Sequence, residues 1–362
     1  MKDELRNVSH HSSFIIHHSS LIWMDKDPTA KERKKDHIEL AFQSQVGMHQ
    51  LDQRFYYEPL LSAHPTDRTL APFSFLGKEM KVPIWVSSMT GGTALAKTIN
   101  HNLARACGEF GMGMGLGSCR SLLYSDEMFP DFDVRHLIGH HLPLYANLGV
   151  AQVEQLIAQE ELYRVEKMVA QLKADGLIIH VNPFQEWMQP EGDHFSKAPI
   201  DTIRAFLDKV SIPVIVKEVG QGMGYESLKA LFQLPLMAVD FAASGGTNFA
   251  LLELLRSDPI QKERFQSLPH IGHSAKEMVQ FTNALQIELG DQMKCQQVII
   301  SGGIKDFLDG YYLMRSLQIP SIYGQASGFL KHARGPYETL RQYVADQIEG
   351  LKLANAYLRV RT

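Results

Sequence analysis

From residue 82 onward the chain alternates between two hydrophobic patterns. One is a short apolar run without strict alternation, found at residues 82–89, 112–117, 144–148, 177–181, 214–219, 237–242, 298–301 and 322–325. Runs that are apolar on both faces suit parallel strands covered on both sides. The other pattern spaces apolar residues three and four apart, as in Leu162, Val165, Met168, Val169 and Leu172. That spacing draws one apolar stripe along an α-helix, and segments 274–289 and 305–317 behave likewise. No linker rich in Pro, Gly or Ser interrupts the region. Eight strand–helix units in one α/β domain predict a (β/α)8 TIM barrel over residues 82–362. An open doubly wound sheet is the alternative, but eight units of this length suit closure better.

Residues 24–81 precede the barrel. They carry a helix from about 29 to 45 and a proline-interrupted segment, expected to cover the barrel's bottom or to reach over its mouth. Residues 1–23 show neither pattern, and Ser9 to Ser20 is a near-repeat of His-His-Ser-Ser around a short apolar core. A metal-binding histidine tract and a signal peptide are alternatives, yet the apolar part is short and no small-residue cleavage site follows. The segment is expected to be a disordered or mistranslated leader, with Met24 the true start and the leader dispensable for folding.

Composition narrows the partners. With 44% hydrophobic and 21% charged residues the chain reads as an ordinary soluble domain. A net charge of −4 gives no sign of the basic patch that nucleic acid requires. Cys107, Cys119 and Cys295 are too few and too scattered for a disulfide framework or a zinc site, which fits a reducing cytoplasm. No apolar run approaches a membrane span.

Ligand groups of such a barrel sit at the C-terminal ends of the strands. Read in order, those ends offer Ser88-Met89-Thr90-Gly91-Gly92, Gly117-Ser118-Cys119-Arg120, Asn147, then His180, Asn182, Gln185 and Glu186. Lys217-Glu218 follows, then Asp240 with Gly245-Gly246-Thr247, Ser301-Gly302-Gly303 and Gly324-Gln325-Ala326-Ser327. The fourth group is the most informative: four polar side chains at the exit of a buried strand are costly to desolvate unless a ligand meets them. The late glycines let backbone amides approach a phosphate, a use barrels commonly make of their last two loops. Lys217 ends an apolar strand and needs an anionic partner, either Glu218 or Asp240 in a structural pair, or an anionic cofactor. By contrast, His64, His101, His136 and His273 read as surface or satisfied core residues, and Met112 and Met114 as packing. The run from Lys31 to Asp36 would ordinarily be a solvated helix face.

The strand ends, taken together, resemble the type 2 isopentenyl diphosphate isomerases, FMN-dependent barrel enzymes. The resemblance runs from about Arg33 to Lys331. It rests on Arg33-Lys34-x-x-His37-Ile38, Met89-Thr90-Gly91-Gly92, His180-x-Asn182-x-x-Gln185-Glu186, Pro190-Glu191-Gly192-Asp193, Val216-Lys217-Glu218-Val219-Gly220, Gly245-Gly246-Thr247-Asn248-Phe249 and Ser301-Gly302-Gly303-Ile304. It implies that Ser88, Met89, Thr90, Ser118 and Asn147 line the flavin ring and that Lys217 stabilises negative charge on it. Thr247, Gly302, Gly303, Ala326 and Ser327 would hold the FMN phosphate. Arg33 and Lys34 would clamp the substrate diphosphate, which overturns their reading as a solvated face; Arg120, Ser118 and His180 would face the same pocket. Gln185, with His180 and Asn182, would form the reacting centre, and Glu186 would bind Mg²⁺. The family's usual Gln after Ser118 is Cys119 here, which removes an amide.

The expected reaction is therefore interconversion of isopentenyl and dimethylallyl diphosphate in isoprenoid biosynthesis, with reduced FMN, Mg²⁺ and NADPH as reductant. A cytoplasmic homo-oligomer, tetramer or octamer, is expected, without nucleic-acid or membrane partners. One rival is an FMN-dependent oxidoreductase of the 2-hydroxy-acid oxidase type, which would need a His–Arg pair; beyond His273 none is evident. Another is a flavin- or phosphate-binding protein without catalysis, which the presence of Gln185 and Glu186 disfavours.

Overall fold

In a computed structural model that describes residues 29–88 and 94–361, eight parallel strands close into a barrel. They are β1 (Ile84–Val86), β2 (Gly113–Gly115), β3 (Leu144–Gly149), β4 (Gly176–His180), β5 (Val214–Lys217), β6 (Ala238–Asp240), β7 (Val298–Ser301) and β8 (Ser321–Gln325). Neighbours in sequence are neighbours in the sheet, and β8 closes on β1 with Tyr323, Gly324 and Gln325 opposite Ile84, Trp85 and Val86. The predicted (β/α)8 architecture is thus the fold, and each strand overlaps the run that predicted it. The leader of residues 1–23, and with it Met24, lies outside the described residues, as do Met89 and Thr90.

The helices follow the apolar stripes. Helix Tyr163–Leu172 buries Val165, Met168 and Leu172 and stops at Lys173, which turns left-handed at φ 51°. Helix Ala275–Leu289 starts at Ser274, whose hydroxyl accepts the Glu277 amide at 3.2 Å. Helix Phe307–Ser316 starts at Asp306, whose carboxylate accepts the amides of Leu308 and Asp309 at 2.9 and 3.1 Å. Such caps satisfy amides that the first turn leaves open.

Inside the barrel Trp85, Tyr145, Ile178, Ile215, Ala238, Ile299 and Ile322 form one apolar layer. The hairpin Phe73–Phe75 and Lys78–Met80 adds Phe75, Leu76 and Met80 to it from below. It is fastened at the strands' N-terminal ends. The Leu76 amide donates to Gln297 Oε1 at 2.8 Å, and Lys78 Nζ meets the His140 carbonyl at 2.7 Å and Asp175 at 2.5 Å. Of the two places expected for the segment before the barrel, this part of it covers the bottom. Strand Phe55–Tyr57 pairs antiparallel with Leu358–Val360, tying the start of the barrel unit to its end.

The described residues 29–53 fall in a unit separate from the one that begins at Arg54, a division inside the expected segment 24–81. Its helix, Ala30–Leu40, is shorter than the predicted 29–45 and buries no residue. Arg33 and Lys34 are exposed on it. Among the described residues no helix is long and apolar enough to cross a membrane.

Candidate active site

Side chains alternate in and out along a strand, so the inward positions two residues beyond the apolar layer form a second layer nearer the mouth. They are Ser87, Asn147, His180, Lys217, Asp240, Ser301 and Gly324. The layer is a ring of polar side chains, and Ser87, Asn147, Lys217, Asp240 and Ser301 are buried in it. Register places His180 beside Lys217 and Lys217 beside Asp240. The Ser301 hydroxyl accepts the Ala242 amide at 2.9 Å and donates to Asp240 Oδ1. Asn147 Nδ2 donates to the Leu116 carbonyl at 3.0 Å, which leaves its Oδ1 to meet His180 Nδ1 at 2.8 Å. His180 therefore carries its proton on Nδ1 and presents Nε2 as an acceptor.

Lys217 makes no ion pair within 4.0 Å among the described residues; Nζ donates to the Glu218 carbonyl at 2.6 Å. The Glu218 carboxylate is committed elsewhere, one oxygen accepting the amides of Gly220, Gln221 and Gly222 at 2.7, 2.6 and 2.9 Å. Those bonds explain why β5 stops at Lys217 instead of running on to Val219, because the loop amides turn to the carboxylate rather than to a neighbouring strand. Burial raises the pKa of Glu218, an effect that these amides and Lys217 oppose. A direct structural pair of Lys217 with Glu218 or Asp240 is thus absent, and the lysine faces a cavity.

That cavity, about 340 Å³, opens at the ends of β1 and β5 to β8. It brings together Ser88, Lys217, Thr247, Gly302, Gly303, Ala326 and Ser327, all of them expected cofactor residues. The loops approach closely: a Cβ on Gly302, at φ +88°, would lie 2.0 Å from the Ala243 carbonyl oxygen. On the far side, Ser87 and Ser88 carry hydroxyls with no hydrogen-bond partner among the described residues. A cation, unpaired hydroxyls and a close-packed glycine cradle fit a flat, polar, phosphate-bearing cofactor. Sequence reasoning missed Lys305 and named Gln325 among the strand ends without giving it a role; both line the cavity. Lys305 stands two residues beyond the Gly302-Gly303 pair, a proximity that could have revealed it.

The strand-four group forms a second cluster beside the ring. Asn182 Nδ2 donates to Gln185 Oε1 at 3.0 Å and to Glu186 Oε1 at 2.8 Å, and the Asp193 amide donates to Glu186 Oε2 at 2.8 Å. Gly192 makes that last bond feasible, since a Cβ there would lie 1.9 Å from the Glu186 carbonyl oxygen. The Asp193 carboxylate takes Arg120 at 2.6 Å, Gln152 at 2.8 Å and Gln155 at 3.2 Å. Asp193 is the hub that sequence reasoning left without a role, although its motif was evident. Asn182 Oδ1 is buried without a partner among the described residues. Glu186 keeps unused lone pairs on both oxygens. One carboxylate and one amide oxygen fit a hard divalent cation that takes its other ligands from substrate and water. Among the described residues no group of three or more His, Cys, Asp or Glu side chains could hold a metal alone.

Two expected cofactor residues lie outside the cavity lining, and Asn147, the first of them, stands buried in the polar ring. Ser118 is exposed at the end of β2 and does not line the cavity. Cys119, in place of the family's glutamine, faces the core, where burial pushes its thiol up to about 12. Its side chain therefore offers the site nothing.

Burial, reinforced by the charge of Lys217, pushes the His180 imidazole down to about 3. The folded protein keeps it neutral where an unfolded chain, titrating near 6.5, would take up a proton. A depressed pKa contributes stability above pH 6.5 that is lost as pH falls toward 3. The expected slope is up to roughly 1.4 kcal/mol per pH unit. Urea unfolding of the wild type and His180→Gln between pH 7 and pH 4 measures it. The variant should lose less stability on acidification, and equal losses would show that His180 does not carry the effect.

No family model matches the chain. Two curated relatives are named isopentenyl-diphosphate delta-isomerase. That of Rickettsia africae is 33% identical over 330 residues, covering 89% of this chain and 92% of its own. That of Rickettsia prowazekii is 32% identical over 329 residues with the same coverage. Among solved structures, a flavocytochrome b2 variant with pyruvate bound aligns with a TM-score of 0.57 at 14% identity, covering 83% of this chain and 70% of that one. A mandelate oxidase variant with a monooxide FMN adduct aligns with a TM-score of 0.52 at 11% identity, covering 85% and 88%. At that identity the structural likeness shows the shared barrel fold alone.

Proposed function

The chain belongs to the isopentenyl-diphosphate delta-isomerase family, and we propose that it works as a type 2 enzyme, interconverting isopentenyl and dimethylallyl diphosphate with reduced FMN and Mg²⁺. The observation that carries this reading is the adjacency of two sites at one end of the barrel. The cradle cavity around Lys217 and the strand-four cluster meet where His180 and Lys217 pair in register. Lys217 and the cradle would hold the flavin, and the strand-four cluster next to them would hold the substrate.

FMN, once bound and reduced, supplies the proton-transfer chemistry at the alkene that no side chain here has the acidity to supply. The protein's own groups bind and orient. Lys217 would offer positive charge to the ring, and the amides of Gly302, Gly303, Ala326 and Ser327, with Thr247, would hold the phosphate. Gln185, fixed through its Oε1 by Asn182, keeps its Nε2 donor for the substrate. Glu186 and Asn182 Oδ1 would hold Mg²⁺ against the diphosphate, with Arg120 completing the anion site. Arg33 and Lys34 are proposed to clamp the diphosphate. The same reading carries NADPH as reductant and a cytoplasmic homo-oligomer.

The test is conversion of isopentenyl diphosphate, followed by NMR, using the full chain loaded with FMN, reduced anaerobically and supplied with Mg²⁺. Absence of dimethylallyl diphosphate despite bound, reduced FMN overturns the reading. The 2-hydroxy-acid oxidase alternative needs a His–Arg pair at the ring. Among the described residues the cavity lining contains neither residue type, so lactate and mandelate should not be oxidised.

Glu186→Gln probes the metal. A glutamine must place its NH2 against either the Asn182 or the Asp193 donor, and a neutral amide oxygen holds a hard cation less tightly than a carboxylate does. The Mg²⁺ concentration for half-maximal rate should rise at least about tenfold while FMN content is unchanged, a factor worth 1.4 kcal/mol of metal binding. An unaltered magnesium titration places the metal elsewhere.

A further inference from the structure

Lys217 has three titratable neighbours: His180 from β4, Glu218 next in its own chain and Asp240 from β6. His180 is neutral, and the Glu218 carboxylate is bound to three loop amides. Of the two acids, Asp240 is the one that stands at the register level of Lys217 in the polar ring. It has no exposed surface at 0%, and its Oδ2 has no hydrogen-bond partner among the described residues. Ser301 serves only Oδ1, and the Ala242 amide fixes that hydroxyl so that its proton points at Asp240. A carboxyl buried this fully, with half its hydrogen-bonding capacity unused, stays ionised only beside a compensating positive charge. In the ring that charge is Lys217, one strand away at the same register level.

From this geometry we infer that Asp240 is the counter-charge of Lys217 without touching it, and that it sets the electrostatic field Lys217 presents to the group bound in the cavity. Nζ does not swing down to the carboxylate, because the Glu218 carbonyl holds it at 2.6 Å. Coupling therefore acts through the poorly polarisable barrel interior, where charges interact strongly without touching. Burial raises the Asp240 carboxyl and the charge of Lys217 opposes that rise, which is the same coupling seen from the partner's side. Asp240 is a positioning and tuning residue; it does not reach the cavity lining. With FMN in the cavity, a bare lysine would favour the reduced, anionic ring more strongly, and Asp240 moderates that preference. This second half of the inference rests on the FMN reading of the cavity; the first half does not.

Asp240→Asn in the full chain tests both halves. In ligand-free protein labelled at lysine nitrogen, the Lys217 signal, identified by its loss in Lys217→Arg, should lose its proton at a pH at least one unit lower than in the wild type. That shift is a tenfold change in acid constant. With FMN loaded, the ratio of reduced- to oxidised-FMN affinity should rise about tenfold, moving the two-electron midpoint roughly 30 mV more positive. Unchanged ionisation of Lys217 overturns the inference whether or not FMN binds. A shifted ionisation with an unmoved or lowered midpoint overturns the tuning half. Failure of the wild type to bind FMN overturns the cofactor reading and leaves the ionisation measurement to decide the coupling. Should Asp240→Asn not fold, Ser301→Ala, which keeps the carboxylate but removes its donor, takes its place. A smaller shift of the opposite sign, toward later loss of the Lys217 proton, is expected, because a carboxylate left without its donor holds the lysine's charge more strongly; no shift overturns the inference.

Discussion

Gln185→Ala is expected to lower turnover by on the order of 10²–10³ with FMN content unchanged, the cost of removing one preorganised donor aimed at a reacting group. Gln185 is half-buried in the first turn of helix Pro183–Met188. Its Oε1 accepts Asn182 Nδ2 at 3.0 Å, so its amide orientation is set and the NH2 is free to point at substrate. The residue bears no charge, stands one position from the carboxylate assigned to the metal and makes no contact with the cradle. Its loss should therefore leave cofactor and metal binding in place and appear in kcat. The measurement is conversion of isopentenyl diphosphate by the reduced, FMN-loaded variant at saturating substrate and magnesium. Turnover within a few-fold of wild type, the scale of an ordinary hydrogen bond of about 1 kcal/mol, would remove Gln185 from the reacting centre. The site would then have to be rebuilt on His180 and Asn182.

The second large effect is steric. Gly302→Ala should weaken FMN binding by roughly 10² or more. At φ +88° an alanine is strained, which costs about 1–3 kcal/mol, and each 1.4 kcal/mol is a factor of ten. The new Cβ would also lie 2.0 Å from the Ala243 oxygen and 2.2 Å from the Ala243 nitrogen. Both are backbone atoms, so no side-chain rotation relieves the clash, and the loops after β6 and β7 must separate. Gly335→Ala is the matched control, since a Cβ there meets nothing within 4 Å. Fluorescence titration with FMN reads the difference. Equal affinity in both variants would mean that the phosphate is not held by these loops.

How far the sequence went can be followed residue by residue. The eight buried strands were legible because a barrel strand is covered on both faces, and the resulting unbroken apolar run needs no knowledge of its neighbours. The helices expected over 274–289 and 305–317 were legible for a similar local reason, their apolar spacing. The strand ends could be read as one list because closure of the barrel sends every C-terminal end to the same face. Thus Lys217, Thr247, Gly302, Gly303, Ala326 and Ser327 were nominated separately from positions spread over about 110 residues, and they line one cavity.

Other features depend on pairs that are distant in sequence. No local pattern shows that the Glu218 carboxylate would turn to its own loop's amides, leaving Lys217 without a direct ion pair. Asp193 could be seen in a motif, yet its hold on Arg120, Gln152 and the Glu186 carboxylate needs three loops to converge. Cys119 read as a lost polar contact, whereas chain direction after β2 buries its side chain in the core. Local composition by itself determined which segments are strands, which are helices and where polar groups end a buried run, because hydrophobic period and capping act over a few residues. Register, which sets His180, Lys217 and Asp240 side by side, is a property of strands aligned against one another. Only the closed barrel could decide which charges face each other and which groups are left for a ligand.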